Sequence, residues 1–207
     1  MIDLYTWTTP NGRKVSIALE EMGLPYEAHA IDIGKDEQFA PDFLELSPNN
    51  KIPAIRERET GFHLMESGAI LLWLAEKTGT FLPDADRWET MEWLMWQMAG
   101  FGPMLGQAHH FLKFNSGVSD YAETRYAAEA LRLYGVLEQR LTGRDFILSE
   151  YSIVDMATWP WVSRFEWQRI DLADFPNVKD WYLRIADRPA VQKGYDVPRF
   201  VTPIPIP

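Results

Sequence analysis

The chain has 207 residues, 46% of them hydrophobic, with 9 Trp, no Cys and a formal net charge of −10. That length and apolar content specify a densely packed globular protein with a sizeable core, and the acidic balance argues against nucleic acid, which is held by clustered Lys and Arg. Without cysteine there is no disulfide framework, no thiolate metal site and no protein-borne thiol nucleophile, so any sulfur chemistry must arrive on a cofactor.

The start, Met1-Ile2-Asp3-Leu4-Tyr5, has no basic region ahead of an apolar one and does not read as a secretory signal. The longest apolar run, residues 69–75, is too short to span a bilayer, so a cytoplasmic protein that meets no membrane is expected. Residues 2–6 read as a strand, and 11–22 as a helix with Val15, Ala18, Leu19 and Met22 on one face. Residues 26–31 are strand-like, 41–46 a short helix, and Ile52-Pro53-Ala54-Ile55 starts another strand. The turn Glu59-Thr60-Gly61 leads into a strand over 62–65, and 67–77 forms a helix ended near Gly79. This β-α-β-α-β-β-α order suits a mixed sheet with helices packed on it.

Beyond Gly79-Thr80-Phe81-Leu82-Pro83 the strand signals fade. Met91, Leu94, Met95 and Met98 repeat at helical spacing, as do Ala127, Ala130, Leu131, Tyr134, Leu137 and Leu141, and then Val178, Trp181, Tyr182 and Ile185. The expected organisation is an α/β domain over residues 1–79, a linker over 80–86, an all-helical domain over 87–199 and a proline-rich extended tail over 200–207. Gly100, Gly102 and Pro103 should bend or break the first helix of the second domain.

Three loops of the first domain carry residue types suited to a small charged ligand. Thr9-Pro10-Asn11-Gly12 joins the first strand to the first helix, where first-turn amides and a hydroxyl can stabilise an anion, a thiolate included. Lowering a thiol pKa by two units takes about 2.7 kcal/mol of preferential thiolate stabilisation, within reach of one hydroxyl and one well-aimed amide. Read alone, the same residues make a helix cap with a turn proline. Asn49-Asn50-Lys51-Ile52-Pro53 places a proline at the entry to a strand, which suits a turn or an edge and leaves the Ile52 backbone to pair with an extended peptide; a cis bond would fit here. Glu66-Ser67-Gly68 stands between a strand and a strong helix, with Ser67 as N-cap. Its helix start can hold a carboxylate and Glu66 an ammonium, which suits the zwitterionic end of an amino acid.

Two further features read as structural. His109 and His110 are adjacent in a helix and point about a hundred degrees apart, so they do not share an ion, and no metal site is assigned. Ser152-Ile153-Val154-Asp155 resembles a capping box, with Tyr151 and Met156 as a hydrophobic staple.

Taken together, Pro53, Glu66-Ser67 and the Ser152 to Asp155 box resemble the cytosolic glutathione transferases over essentially the whole chain. The resemblance implies a thioredoxin-like α/β domain followed by an all-α bundle, the glutathione transferase fold. Thr9-Pro10-Asn11-Gly12, Gln38-Phe39, Ser47 to Pro53, Gly102 to Gln107, Trp159-Pro160-Trp161 and Gln168 to Leu172 are similar to the bacterial Nu-class members, described as disulfide-bond reductases. That similarity implies glutathione, reduced or oxidised, as cosubstrate at a site without a catalytic Tyr or Cys. Thr9 and the Asn11 amide would contact the sulfur as the catalytic pair, while Gln38, Lys51, Ile52, Pro53, Glu66 and Ser67 hold the peptide. Arg125 in the helical half corresponds to a glutathione-contacting arginine. Where some relatives have a basic residue two positions after the glutamine, this chain has Ala40, and Tyr5 is expected to be packed in its strand rather than catalytic. The resemblance also implies a homodimer.

The expected activity is disulfide reduction with glutathione as thiol donor. One alternative is addition of the same thiolate to an electrophile or organic peroxide, with Met104, Leu105, Phe111, Phe114 and the Trp cluster lining an apolar acceptor site. Another is a non-catalytic interaction module, which the joint presence of Thr9, Asn11, Glu66 and Ser67 argues against.

Overall fold

The computed structural model describes all 207 residues. They divide into two compact units, Met1–Leu82 with Asp187–Ile204, and Pro83–Ala186 with Pro205–Pro207.

In the first unit, β1 (Ile2–Thr6) leads to α1 (Pro10–Glu21), followed by β2 (Tyr26–Ala30), α2 (Pro41–Leu46), β3 (Ala54–Glu57), β4 (His63–Met65) and α3 (Ser67–Thr78). The sheet order is β2-β1-β3-β4, with β1 and β2 parallel and the β1–β3 and β3–β4 pairs antiparallel. This is the thioredoxin-like mixed sheet expected from the alternating pattern. The inner strands carry the core, with Leu4, Ala54 and Ile55 fully buried. Above them lie Val15, Ala18 and Leu19 of α1 and Ile70, Leu71 and Leu74 of α3, the apolar stripes that gave both helices away. The proline at the strand entry delays β3, which begins at Ala54 rather than Ile52.

The division between units departs from the expected boundary of 87–199 for the helical domain. Residues 187–199 pack with the first unit through α9 (Pro189–Tyr195), which lies against α1. The contact depends on Gly194, where an added Cβ would stand 2.7 Å from Ile17 Cα. At that approach Ser16 Oγ donates to Gly194 O at 2.6 Å, and Arg13 Nε donates to Tyr195 O at 3.0 Å. The Arg13 guanidinium stacks 3.5 Å over the Tyr195 ring. Glu21 pairs with Arg188, and Glu20 with Lys193.

The second unit is all-helical, as expected. α4 (Arg87–Trp96) passes through a π-helical stretch over Gln97–Phe101 into α5 (Gly102–Ala108), which starts with Pro103 in its first turn. The anticipated break is therefore a widened turn within one helical path, which absorbs the glycines and proline without ending the helix. A second π-helical stretch, His109–Phe114, precedes α6 (Asp120–Leu141), capped by Ser119 Oγ accepting from Ala122 N at 3.3 Å. α7 (Ile153–Val162) and α8 (Pro176–Ala186) complete the bundle around Phe101, Tyr134, Leu137, Trp159 and Trp181, all fully buried. No helix is long and apolar enough to cross a membrane.

Candidate functional site

Strand register gathers the singled-out loops of the first unit at one end of its sheet. Tyr5 of β1 lies opposite Ala54 of β3, and Ala54 lies opposite Met65 of β4. The exit of β1, the entry to β3 and the exit of β4 therefore share an edge, carrying Thr9, Ile52-Pro53 and Glu66-Ser67 respectively. β2 runs parallel to β1, with Ala30 opposite Thr6, so the segment bearing Gln38 leaves from this same end.

Thr9 is the N-cap of α1, with Oγ1 accepting from Gly12 N at 3.1 Å. A hydroxyl that accepts in this way still has its own O–H to donate. Asn11 follows Pro10 in the first turn, where backbone amides point away from the helix's own ladder. Gly12 is required for the close turn, since a Cβ there would fall 2.2 Å from Trp7 O. Thr9 and Asn11 are half-buried, so the helix start is open to a small ligand.

The entry to β3 is tied down by Ser47, whose buried hydroxyl donates to Lys51 O at 2.8 Å and lies 3.8 Å from Met65 Sδ. Ile52–Pro53 is cis, the geometry expected for this loop. Lys51 is exposed, Ile52 half-buried and Pro53 buried. Gln38 sits in a single turn over Glu37–Phe39, its Nε2 donating to Asp36 Oδ1 at 3.4 Å.

At the exit of β4 the structure corrects one expectation. Glu66, not Ser67, occupies the N-cap of α3, at φ 71° and ψ 113°, and no side chain caps the helix. Glu66 turns the chain out of β4, so Ser67 is already helical and its hydroxyl faces inward. A residue with a Cβ held at this φ costs about 1–3 kcal/mol, and such strain concentrates where a site needs it. Ser67 is buried at 3% exposure, and its Oγ accepts from Lys14 Nζ at 3.4 Å.

Lys14 is the functional candidate that the sequence reading missed. It is buried at 1% exposure within α1. Burial pushes its pKa down to about 7, against the pull of the Glu66 charge, which raises it. The signal was present, because Lys14 stands four residues before Ala18 and so shares the apolar face of the helix.

The other singled-out residues fall elsewhere. Arg125 is exposed on α6 in the helical unit, beside a cavity of about 560 Å³ that Met104, Tyr121, Tyr126 and Arg132 also line. Of the apolar residues expected to form an acceptor site, Met104 lines this cavity. Leu105 is in the core, Phe111 stacks on Tyr126, and Phe114 is exposed against the edge of Trp167. A cavity of about 590 Å³ in the first unit is lined by Tyr5, Glu37, Asp42, Phe43 and Arg56, and Thr9, Asn11, Glu66 and Ser67 are not part of its wall. Tyr5 stacks on His29 with ring centroids 4.9 Å apart, and burial raises its pKa, which keeps the phenol protonated. His109 lies buried against Trp161 and 3.0 Å from Gln168 Nε2, whereas His110 contacts Asn115. The carboxylates and imidazole of Asp3, Glu27 and His29 come together, with the Arg58 guanidinium on both acids.

A mixed four-stranded sheet, an all-helical second unit and a cis-proline edge with two helix starts define a fold shared with proteins of known type. The glutathione S-transferase N-terminal domain family matches residues 8–77, and the glutathione S-transferase C-terminal domain family matches residues 101–189. The chain belongs to the glutathione S-transferase family. It is similar to the disulfide-bond oxidoreductase YfcG of Escherichia coli, 51% identical over 198 residues, covering 92% of each chain. The disulfide-bond oxidoreductase YghU of the same organism is 40% identical, covering 98% of this chain and 77% of that one. Among solved structures, a glutathione transferase from Pseudomonas putida with one glutathione disulfide bound per subunit superposes with a TM-score of 0.90 at 44% identity, covering 95% of this chain and 91% of that one. One from Burkholderia graminis with two glutathione molecules per subunit does so with a TM-score of 0.90 at 47% identity, covering 95% and 88%.

Proposed function

We propose that this protein reduces disulfides with glutathione as the thiol donor. The observation that carries the reading is the start of α1. There Thr9 Oγ1 takes the Gly12 amide and keeps its own O–H to donate, in a chain with no cysteine of its own. A glutathione thiolate is stabilised there by the Thr9 hydroxyl, the Asn11 amide and the positive end of the helix. It attacks one sulfur of the substrate disulfide, forming a mixed disulfide and releasing a thiolate that takes a proton from water. A second glutathione thiolate attacks the glutathione sulfur of the mixed disulfide, so two glutathiones become glutathione disulfide and the substrate leaves as two thiols. Solved relatives holding two glutathiones or glutathione disulfide support this stoichiometry. The protein supplies position and electrostatics to thiols it does not own.

Gln38, Lys51, Ile52, Pro53, Glu66 and Ser67 hold the peptide in this reading. The Ile52 backbone pairs with the cysteinyl segment, Glu66 with the γ-glutamyl ammonium, and the first turn of α3 with its carboxylate. Arg125 enters through the resemblance alone, and an unchanged glutathione affinity in Arg125→Ala would remove it. The protein acts as a homodimer in the cytoplasm, and light scattering on the purified protein checks the first point.

The test is turnover of a small symmetric disulfide by the purified protein, with glutathione disulfide measured as product. One glutathione disulfide per substrate disulfide is expected, with Thr9→Ala lowering kcat more than it raises the glutathione KM. Binding of glutathione without turnover of any disulfide would overturn the proposal. The apolar wall of the helical unit's cavity favours conjugation to a hydrophobic electrophile as a second reading. A chlorinated aromatic turned over faster than the disulfide would favour it.

A further inference from the structure

We propose that Arg199 is a specificity-determining residue for the substrate disulfide, favouring disulfides that carry a carboxylate a few bonds from the sulfur. This rests on the disulfide-reduction reading given above and names the substrate class within it. Three observations carry it. The Arg199 guanidinium lies 4.5 Å over the Trp7 ring. Trp7 in turn opens the bend that sets Thr9, because Thr9 N donates to Trp7 O at 2.7 Å and the same carbonyl is what a Cβ on Gly12 would meet. Two residues span at most about 7 Å, so the cation stands beside the helix start that holds the glutathione sulfur in that reading. Finally, the Arg199 guanidinium, the Trp7 indole N–H and the Thr8 hydroxyl have no hydrogen-bond or ion-pair partner in the protein, with Arg199 exposed and Trp7 and Thr8 half-buried.

The place of this cation is fixed by the fold. Arg199 follows Tyr195, the last residue of α9, and α9 is held on α1 by the Ser16 bond to Gly194 O and the Arg13 bond to Tyr195 O. Arg199 and the Trp7 turn therefore belong to one compact unit and are carried by the same pair of docked helices. The local charge runs against that of the whole chain, which is −10. The first turn of α1 holds no acidic side chain, and Asp196, the acid nearest to Arg199 in sequence, makes no ion pair with it. The positive end of α1 and an unneutralised guanidinium thus act in the same sense on whatever approaches the turn. An aromatic face under the guanidinium holds the charge without accepting its hydrogen bonds, and a planar fork of N–H donors suits a carboxylate. A disulfide bearing a carboxylate gains from this arrangement, and one bearing an ammonium loses by it.

The experiment is steady-state turnover of a matched series of disulfides by the full-length wild type, Arg199→Lys, Arg199→Met and Arg199→Glu, at saturating glutathione. Dithiodipropionate, hydroxyethyl disulfide and cystamine share a two-carbon arm on each sulfur and end it in a carboxylate, a hydroxyl and an ammonium. Each kcat/KM is divided by the rate of uncatalysed exchange with glutathione, which removes the disulfides' own reactivities. The wild type is expected to favour dithiodipropionate over cystamine about tenfold. Arg199→Lys, which keeps the charge, should retain most of that ratio, Arg199→Met should bring it close to one, and Arg199→Glu should reverse it. Each result is a ratio within one protein, so a variant that is partly unfolded slows all three substrates alike and leaves the ratio readable. A wild type that reduces the three without preference, or variants that slow them in equal proportion, would show that Arg199 only pins the chain end to Trp7 and overturn the inference. So would a ratio in Arg199→Lys as low as in Arg199→Met, since the charge would then be immaterial. A wild type that binds glutathione and turns over none of the three would instead overturn the disulfide reading, and this inference with it.

Discussion

Two helices, α3 and α7, begin with a serine and an acid in close sequence, and the structure uses them in opposite ways. At α7 every group finds its partner inside the protein. Ser152 Oγ accepts from Val154 N at 3.2 Å, and the Asp155 carboxylate accepts from Ser152 N at 3.0 Å, Ile147 N at 3.0 Å and Trp181 Nε1 at 2.8 Å. All of this is buried, so the start of α7 is closed. At α3 the acid is exposed and strained, no side chain caps the helix, and the serine is held from behind by an ammonium. A cap that completes itself stabilises a fold. One without a side-chain cap, with charges of both signs around it, is the start that the proposed function assigns to a ligand.

Breaking the closed cap should give the largest effect. Asp155→Ala leaves the Ile147, Ser152 and Trp181 N–H donors buried without an acceptor, and a loss of roughly 3–5 kcal/mol in unfolding free energy is expected. Denaturant melts measure it, and glutathione affinity of the protein that remains folded should be unchanged. At α3 the pattern reverses. Ser67→Ala should raise the glutathione KM about tenfold, equivalent to roughly 1.4 kcal/mol, with little change in the melt. A Ser67→Ala protein that loses stability as Asp155→Ala does, with KM intact, would erase the contrast between the two starts.

A smaller effect is expected from a third ionic set, closed like α7 but at the surface. The Arg58 guanidinium beside Asp3, joined by His29, holds the Asp3 carboxyl down to about 2. The folded pKa lies below the ordinary value of 3.8, so this contribution is present above pH 3.8 and is lost as pH falls towards 2. Asp3→Asn should flatten the acid limb of the stability curve in that window, because the variant is less stable than the wild type at neutral pH and the difference closes as pH falls towards 2. An acid limb that stays as steep in the variant as in the wild type would remove Asp3 from the explanation.

The elements were legible because their periods are clean. Val15, Ala18 and Leu19 mark α1, and the alternation of apolar segments marks the sheet. The box at Ser152 and Asp155 was legible because a capping box is local, with both partners three residues apart. What could not be read depends on distant chain. The docking of α9 on α1 needs the missing Cβ of Gly194 to meet Ile17, and nothing near either residue in sequence announces it. Assigning Ser67 as the N-cap failed because the positive φ of Glu66, a conformation uncommon for its residue type, moves the cap one position back. Lys14 was passed over because a lysine is ordinarily solvated, although its place four residues before Ala18 already put it on the apolar face of α1.

The central claim is that the first turn of α1 stabilises a thiolate that glutathione brings. It is tested most directly by the thiol pKa of bound glutathione, read from thiolate ultraviolet absorbance across a pH titration of the complex. A value about two units below that of free glutathione, corresponding to about 2.7 kcal/mol, is expected for the wild type, moving back towards the free value in Thr9→Ala. A bound thiol that titrates at its free value, or a lowered value that Thr9→Ala leaves in place, would contradict the claim.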